Sequence, residues 1–468
     1  MVKTLIYQLL PRLWGKGGFS SIDSESLKYI KGLGAGYVWY TGMIRHATSA
    51  TEKVVKGDAG SPYAITDYFD VNPYMADEPS NRMQEFADLI DRTHAAGLKV
   101  ILDFVPNHVA REYHGALGKR DDKNVHWAPE NDFFYYPGTA LNLPVKTSYT
   151  ENPAKASGNA FTPEPGINDW WETVKLNYCD FHTPTWDRML SAVRFWASKG
   201  ADGFRCDMVE LVPPQFMQWL IAEIKREFPE VIFIAEVYEK EKYRMYLDEV
   251  GFDLLYDKSG LYDTLRAVTC SNASAKGITW NWQFLGDMQP GMLNFLENHD
   301  EQRLASDFFC GSATGGNAAL AVSMLLNTAP FMLYFGQEQG ERGMDAEGFS
   351  GLDGRTSIFD WNAKHFGPGT ILPAYKELLH LSGLPAFREG RTYDLCYCQD
   401  GAFNQDRHFA WLRSDGTCTY LLVSNFGKAQ EITLRIPPEA LDYLGIKAVR
   451  TVYTVPVGEK DYAVIKVD

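Results

Sequence analysis

The sequence predicts an α/β fold, a (β/α)8 TIM barrel with an inserted irregular subdomain after strand 3 and a C-terminal all-β domain. Three observations predict it. Eight short apolar runs, at residues 5–8, 37–40, 100–104, 203–206, 232–235, 253–256, 292–296 and 331–334, alternate with helical patterns, as parallel strands joined by crossover helices do. From Asp207 to Glu236 is 29 positions and from Glu236 to Asp300 is 64, close to one and two strand–helix–strand units of about 30 residues. From Asp103 to Asp207 is 104 positions, too many for one unit, so an insertion follows the third strand.

The N-terminal run MVKTLIYQLLPRLW has no small-residue cleavage site behind it and reads as a strand that starts at once, which leads to the expectation of a cytoplasmic protein. Ahead of the third strand, Asn81 with Gln84 resembles a capping box, Met83, Phe86, Ala87 and Ile90 form one apolar face, and Gly97 closes the helix. Ahead of the fourth, Pro184 sits near a helix start, Met189, Leu190, Val193 and Trp196 recur at helical spacing, and Gly200 ends it. Residues 109–168 are rich in Asn, Asp, Gly, Pro and Tyr with little periodicity, and form the inserted subdomain. The barrel takes residues 1–108 and 169–385. Residues 386–468 form a C-terminal β-sandwich, since 408–412, 418–423 and 432–436 are short, alternating or β-branched, with a turn at Ser414-Asp415-Gly416.

Bulk composition narrows the function classes. The 468 residues are 45% hydrophobic and 22% charged, an ordinary globular balance. A net charge of −15 argues against nucleic acid and anionic membranes as partners, because phosphate binding needs clustered Lys and Arg. No run approaches the roughly 18 apolar residues of a membrane helix. Seven irregularly spaced cysteines argue against a disulfide framework, and Cys396 and Cys398 read as packed thiols on one face of a strand. Twelve Trp and 25 Tyr fit either a large core or a surface that stacks on sugar rings.

The three carboxylates at strand C-terminal ends lie where barrel enzymes do their chemistry. Glycoside cleavage with retention needs two carboxyl groups about 5–5.5 Å apart, one ionised for attack and one holding a proton. Burial or a neighbouring negative charge supplies the raised pKa of the second. A third carboxylate stabilises the oxocarbenium-like transition state. Taken singly, Asp207 also suits a helix cap, Glu236 a surface charge, and His108 or His299 a core hydrogen bond. Glu297, Cys206 and the Trp170-Trp171 pair read better as structural, with Trp171 the member of the pair placed to line a groove.

Four segments make the chemistry specific: Asp103-Phe104-Val105-Pro106-Asn107-His108, Gly203-Phe204-Arg205-Cys206-Asp207, Ile234-Ala235-Glu236-Val237 and Phe295-Leu296-Glu297-Asn298-His299-Asp300. In order and spacing they resemble the four conserved regions of the α-amylase family of glycoside hydrolases. Val174-Lys175-Leu176-Asn177 is similar to a fifth, and Tyr63 resembles the tyrosine that stacks on the sugar at the cleavage point. The resemblance implies Asp207 as nucleophile, Glu236 as general acid/base and Asp300 as transition-state stabiliser. It also implies Arg205 against Asp207, with His108 and His299 binding hydroxyls of the reacting sugar, and Asp103 orienting the arginine.

The sequence departs from the family at Glu210 and Leu211, where many α-amylases carry Lys-His, and one expected calcium ligand is thereby lost. No cofactor is required for the chemistry. Calcium is an optional one, with Asn107 a candidate ligand beside carboxylates such as Asp121, Asp122 or Asp169. Met208, directly after the nucleophile, decides nothing between α-1,4 and α-1,6 bonds. The leading expectation is hydrolysis of α-1,4 bonds in starch-derived glucans or malto-oligosaccharides. A transglycosylase or isomerase would use the same triad, as would an α-1,6-specific glucosidase. A non-enzymatic carbohydrate-binding relative would usually have lost triad residues, and all three stand here. Oligomeric state is not written in the sequence.

Overall fold

Eight runs buried on both faces suit a closed parallel barrel wrapped by helices, and the computed structural model of the chain has that form. It describes residues 3–343, 353–447 and 450–467. The barrel strands are β1 (Leu5–Leu9), β2 (Ala35–Tyr40), β3 (Lys99–Phe104), β4 (Gly203–Cys206), β5 (Ile232–Ala235), β6 (Leu254–Tyr256), β7 (Met292–Phe295) and β8 (Phe331–Tyr334). Each pairs in parallel with the next, and β8 closes on β1. Register matters for the chemistry: Arg205 stands beside Asp103 of β3 and Ile234 of β5.

The helices follow their sequence signals, with two differences. Pro184 does open the helix Pro184–Ser198, and Gly200 follows it at φ 103°, a left-handed conformation that glycine adopts freely. Ahead of β3, however, Asn81 makes no side-chain cap to the helix Arg82–Ala95. A tight turn at Pro79–Asn81 leads straight into it, and Glu85 reaches back instead, accepting from the Asp77 and Glu78 N–H groups at 2.7 and 2.8 Å. Gln84 bonds Asp88 further along the helix. The second difference lies at Cys396–Cys398, a helical turn rather than a strand.

Between β3 and β4 the chain makes its long excursion. His108–Ala110 pairs antiparallel with Thr173–Lys175, and Tyr135–Tyr136 with Ala154–Lys155. The closing strand of this ribbon lies beyond residue 168, where the sequence sets the end of the insertion. Arg111, fully buried, pins the excursion by donating to Trp171 O at 2.6 Å and pairing with Glu151 at 3.0 Å.

After the barrel, Arg391–Asp394, His408–Ser414, Thr419–Asn425 and Asp461–Lys466 form an antiparallel sheet, and Gln430–Arg435 pairs with Val452–Val457 in a second. Alternation along the strands sorts their faces. Phe409, Trp411 and Leu422 join the barrel core, while Ala410, Leu412, Leu421 and Val423 pack with Ile432, Leu434 and Val455.

Candidate active site

The ladder hydrogen bonds run one residue past β4 and β5. Asp207 N–H donates to Phe104 O at 2.8 Å and Glu236 N–H to Cys206 O at 3.2 Å. Both carboxylates are therefore carried on sheet-anchored backbone at the C-terminal rim, more rigidly than a loop would hold them. Next to Asp207, Met208 takes a left-handed conformation, φ 44°, unfavourable for a side chain with a Cβ. That turn aims its N–H at Glu236 Oε2, 3.0 Å away.

One guanidinium organises the acids. Arg205, with no solvent exposure, donates to Asp207 Oδ1 at 2.7 Å, pairs with Glu236 Oε2 at 2.8 Å and lies 3.8 Å from Asp103. The rings of Trp39, Tyr63 and Tyr256 surround it at 5.2–5.6 Å. Burial pushes the Asp207 carboxyl up to about 7; Arg205 opposes this, and the negative charges of Glu236 and Asp300 add to it. Tyr238 donates its hydroxyl to Glu236 Oε1 at 2.8 Å, and its own N–H bonds Glu210 at 2.8 Å. Glu210 thus fixes the loop that carries Tyr238.

Asp300 faces this pair from behind β7. Its N–H, and that of Glu301, donate to Asn298 Oδ1 in a side-chain turn. Its carboxylate meets His299 Nε2 at 3.1 Å, and 44% of its side chain is open to the cleft. Against the desolvation of the cleft walls, the charge and hydrogen bond of His299 hold Asp300 down at about 2. Burial disfavours a charged His299, but Asp300 raises the imidazole above its ordinary value. Tyr63 stacks on that ring at 5.1 Å with its hydroxyl 2.5 Å from Nε2, and Gln8 reaches Nδ1 at 2.8 Å.

These groups open into a cleft of about 680 Å³ whose far wall comes from the insertion. His108 lines it against Trp170, with ring centroids 5.0 Å apart. Burial, reinforced by Lys175 and Lys56, pulls His108 down to about 3, so the imidazole is neutral. Lys56 and Glu172 form a buried ion pair at 3.1 Å on the same wall.

The predicted residues Tyr63, His108, Asp207, Glu236 and Asp300 all line the cleft, while Arg205 and His299 stand directly behind it. The tryptophans are a correction. Trp170 lines the cleft, and Trp171 is buried beneath it under the Lys56 ammonium. Tyr238, Gln8, Lys56 and Glu172 were not singled out from the sequence. Only Tyr238, two positions after Glu236, carried a local signal.

Calcium does not fit at Asn107. The Lys175 side chain already sits on Asn107 Oδ1 and donates to Leu211 O at 2.7 Å, filling the place between the two oxygens with a hydrogen-bond donor of the chain itself. The carboxylates paired with Asn107 in the sequence reading are engaged elsewhere: Asp121 accepts from Tyr135 and Asp132, Asp122 from Asn124, and Asp169 from Gly166. Among the described residues no group of three or more His, Cys, Asp or Glu is arranged to hold a metal ion.

A closed parallel barrel with three carboxylates and a shared arginine at its C-terminal rim defines a glycosidase-like site. The family model described as "Alpha amylase, catalytic domain" matches residues 15–365, and the chain belongs to that family. It is similar to Alpha-amylase 3 of Dictyoglomus thermophilum, 25% identical over 60% of this chain and 54% of that protein. It is 26% identical to a cyclomaltodextrin glucanotransferase of Geobacillus stearothermophilus over 66% of this chain and 42% of that one. The chain thus spans about half the length of these curated relatives. Among solved structures, a maltogenic α-amylase AmyB from Thermotoga neapolitana superposes with a TM-score of 0.69 at 22% identity, covering 99% of this chain and 96% of that one. A cyclic α-maltosyl-(1→6)-maltose hydrolase from Arthrobacter globiformis gives 0.71 at 17% identity, over 100% and 99%. These likenesses show a shared fold.

Proposed function

We propose that the chain hydrolyses α-glucosidic bonds, foremost α-1,4 bonds in starch-derived glucans or malto-oligosaccharides, by double displacement. The observation that carries this reading is the Arg205 bridge. A single guanidinium touching Asp207 at 2.7 Å and Glu236 at 2.8 Å keeps the two carboxylates near each other, which supports a retaining pair. Asp207 attacks the anomeric carbon while Glu236 gives its proton to the leaving oxygen. Glu236 then takes a proton from water, which displaces Asp207 and frees the sugar. Asp300, ionised beside His299, stabilises positive charge at the ring as the bond breaks. Tyr63 offers a stacking face, and neutral His108 hydrogen-bonds to a hydroxyl. Seven unpaired cysteines suit a reducing compartment, which supports a cytoplasmic setting; no described helix is long and apolar enough to cross a membrane.

Product analysis after incubation with maltoheptaose, beside an Asp207→Asn control, tests the proposal. Shorter maltodextrins in the wild type alone are expected. Products longer than the substrate would move the chain to glycosyl transfer, the second reading, which its likeness to a glucanotransferase supports. No change in any sugar would overturn both.

A further inference from the structure

A second groove lies where the barrel helix Lys276–Leu285 meets the C-terminal sheet. Counting the part open to solvent, its space is about 990 Å³, against about 680 Å³ for the cleft above the barrel. Five of its lining residues are aromatic: Trp280 and Trp282 from the helix, Tyr393, Tyr397 and Tyr443 from the C-terminal domain. Three of them face solvent, Trp280 at 65%, Tyr397 at 58% and Tyr443 at 46% exposure. Large aromatics left this open contribute little to folding, and such a cluster marks a binding surface.

The three tyrosine rings are held in place before any ligand arrives. Tyr393 and Tyr397 share a hydroxyl–hydroxyl bond of 2.8 Å, Tyr397 donates to Glu439 at 2.9 Å, and the Arg391 guanidinium lies 3.9 Å over Tyr443. These tyrosines have little side-chain freedom left to lose on binding. Between the rings stand amides and a cation, from Gln283, Gln405 and Lys276. The one carboxylate, Asp394, is spent on Thr279 Oγ1 and the Cys396 N–H. The Cys396 thiol, also in the lining, is turned to the Ala410 backbone, so the groove offers stacking faces and hydrogen-bonding edges rather than an assembled catalytic group.

We infer that this groove is a non-catalytic binding site for a stretch of α-glucan chain, stacked on Trp280 and Tyr397. Sugar rings have an apolar C–H face and a rim of hydroxyls, which is the pattern the groove answers. An acidic chain of net charge −15 and a groove with a single lysine disfavour a polyanion. The choice of an α-glucan rests on the activity proposed above. The site would hold a long chain on the molecule while its free end or an interior bond enters the cleft.

The test uses the full chain with β-cyclodextrin and maltoheptaose as probes, in calorimetric titrations of the Asp207→Asn protein with and without Trp280→Ala and Tyr397→Ala. Two classes of site are expected in Asp207→Asn. Loss of an aromatic anchor should weaken one class by about tenfold and leave the other. Trp280→Phe should restore most of it. In the otherwise wild-type enzyme, Trp280→Ala should leave the rate on maltotriose unchanged and lower the rate on soluble starch. Unchanged titrations in Trp280→Ala and Tyr397→Ala would overturn the inference, as would equal loss on short and long substrates. Binding that persists in a protein without activity on any α-glucan would leave this site standing and remove the catalytic reading instead.

Discussion

Met208 and Glu236 are joined by a main-chain hydrogen bond, Met208 N–H to Glu236 Oε2 at 3.0 Å, made from a left-handed turn immediately after Asp207. The bond couples the two strand ends that carry the central carboxylates. It also makes one substitution informative. Glu236→Gln keeps one oxygen to accept from Met208 N–H, and its NH2 group can donate to the Tyr238 hydroxyl, so the fold and cleft should persist. General acid catalysis contributes about 10²–10⁴ in rate, and turnover of maltoheptaose should fall by that factor. Substrates with a good leaving group, which need no proton, should lose much less in their first step. Equal loss on both would contradict the role given to Glu236.

Arg205 is the next test. It is fully buried among Asp103, Asp207 and Glu236. Removing one partner of a buried ion cluster leaves uncompensated charge and costs about 3–5 kcal/mol. Arg205→Met should therefore lower the urea midpoint of unfolding as well as abolish turnover. A variant that is inactive but as stable as wild type would show that the arginine matters only for catalysis.

The pH profile follows from the Asp207 carboxyl. Asp207 is raised to about 7 by burial and by neighbouring negative charge. A raised carboxyl keeps its proton until the pH passes that value, and only the ionised carboxylate attacks, so the competent form of Asp207 is lost below about pH 7. The acid limb of kcat/KM should fall there. Asp300 is one of the charges that raise the value, so Asp300→Asn should move the limb to lower pH in the residual activity. A limb that stays in place or moves upward would contradict the electrostatic account.

Lys175 gives a prediction about metal. Its side chain joins the returning strand of the insertion to Asn107 after β3 and Leu211 after β4. Lys175→Met leaves both oxygens without that donor, at a cost of about 1–3 kcal/mol, so the Tm should fall. Treatment of the wild type with EDTA should leave the Tm unchanged. A Tm lowered by EDTA and restored by calcium would contradict the assignment of that place to lysine.

The barrel was legible because its signals are local and repeated: eight apolar runs alternating with helical patterns, with Asp207, Glu236 and Asp300 spaced close to whole units. Where a reading needed contacts across the chain it went astray or fell silent. The Asn81 cap gave way to Glu85, because Pro79 sets the approach to the helix. Trp170 and Trp171 exchanged places, since their environment depends on Lys56 and His108 from distant segments. Gln8 on His299 lies 291 residues away in the chain, and no pattern links them. Nor does the sequence announce that a lysine would stand on Asn107.

The most direct test of the central claim is to look for the covalent intermediate on Asp207. Glu236→Gln protein, incubated with α-maltosyl fluoride and digested, is analysed by mass spectrometry. Fluoride leaves without acid assistance, while breakdown of the intermediate lacks its base, so the adduct should accumulate. The account predicts a maltosyl group on the peptide that contains Asp207, absent when Asp207 is also changed to Asn. No adduct, together with release of inverted β-maltose, would contradict double displacement at this site.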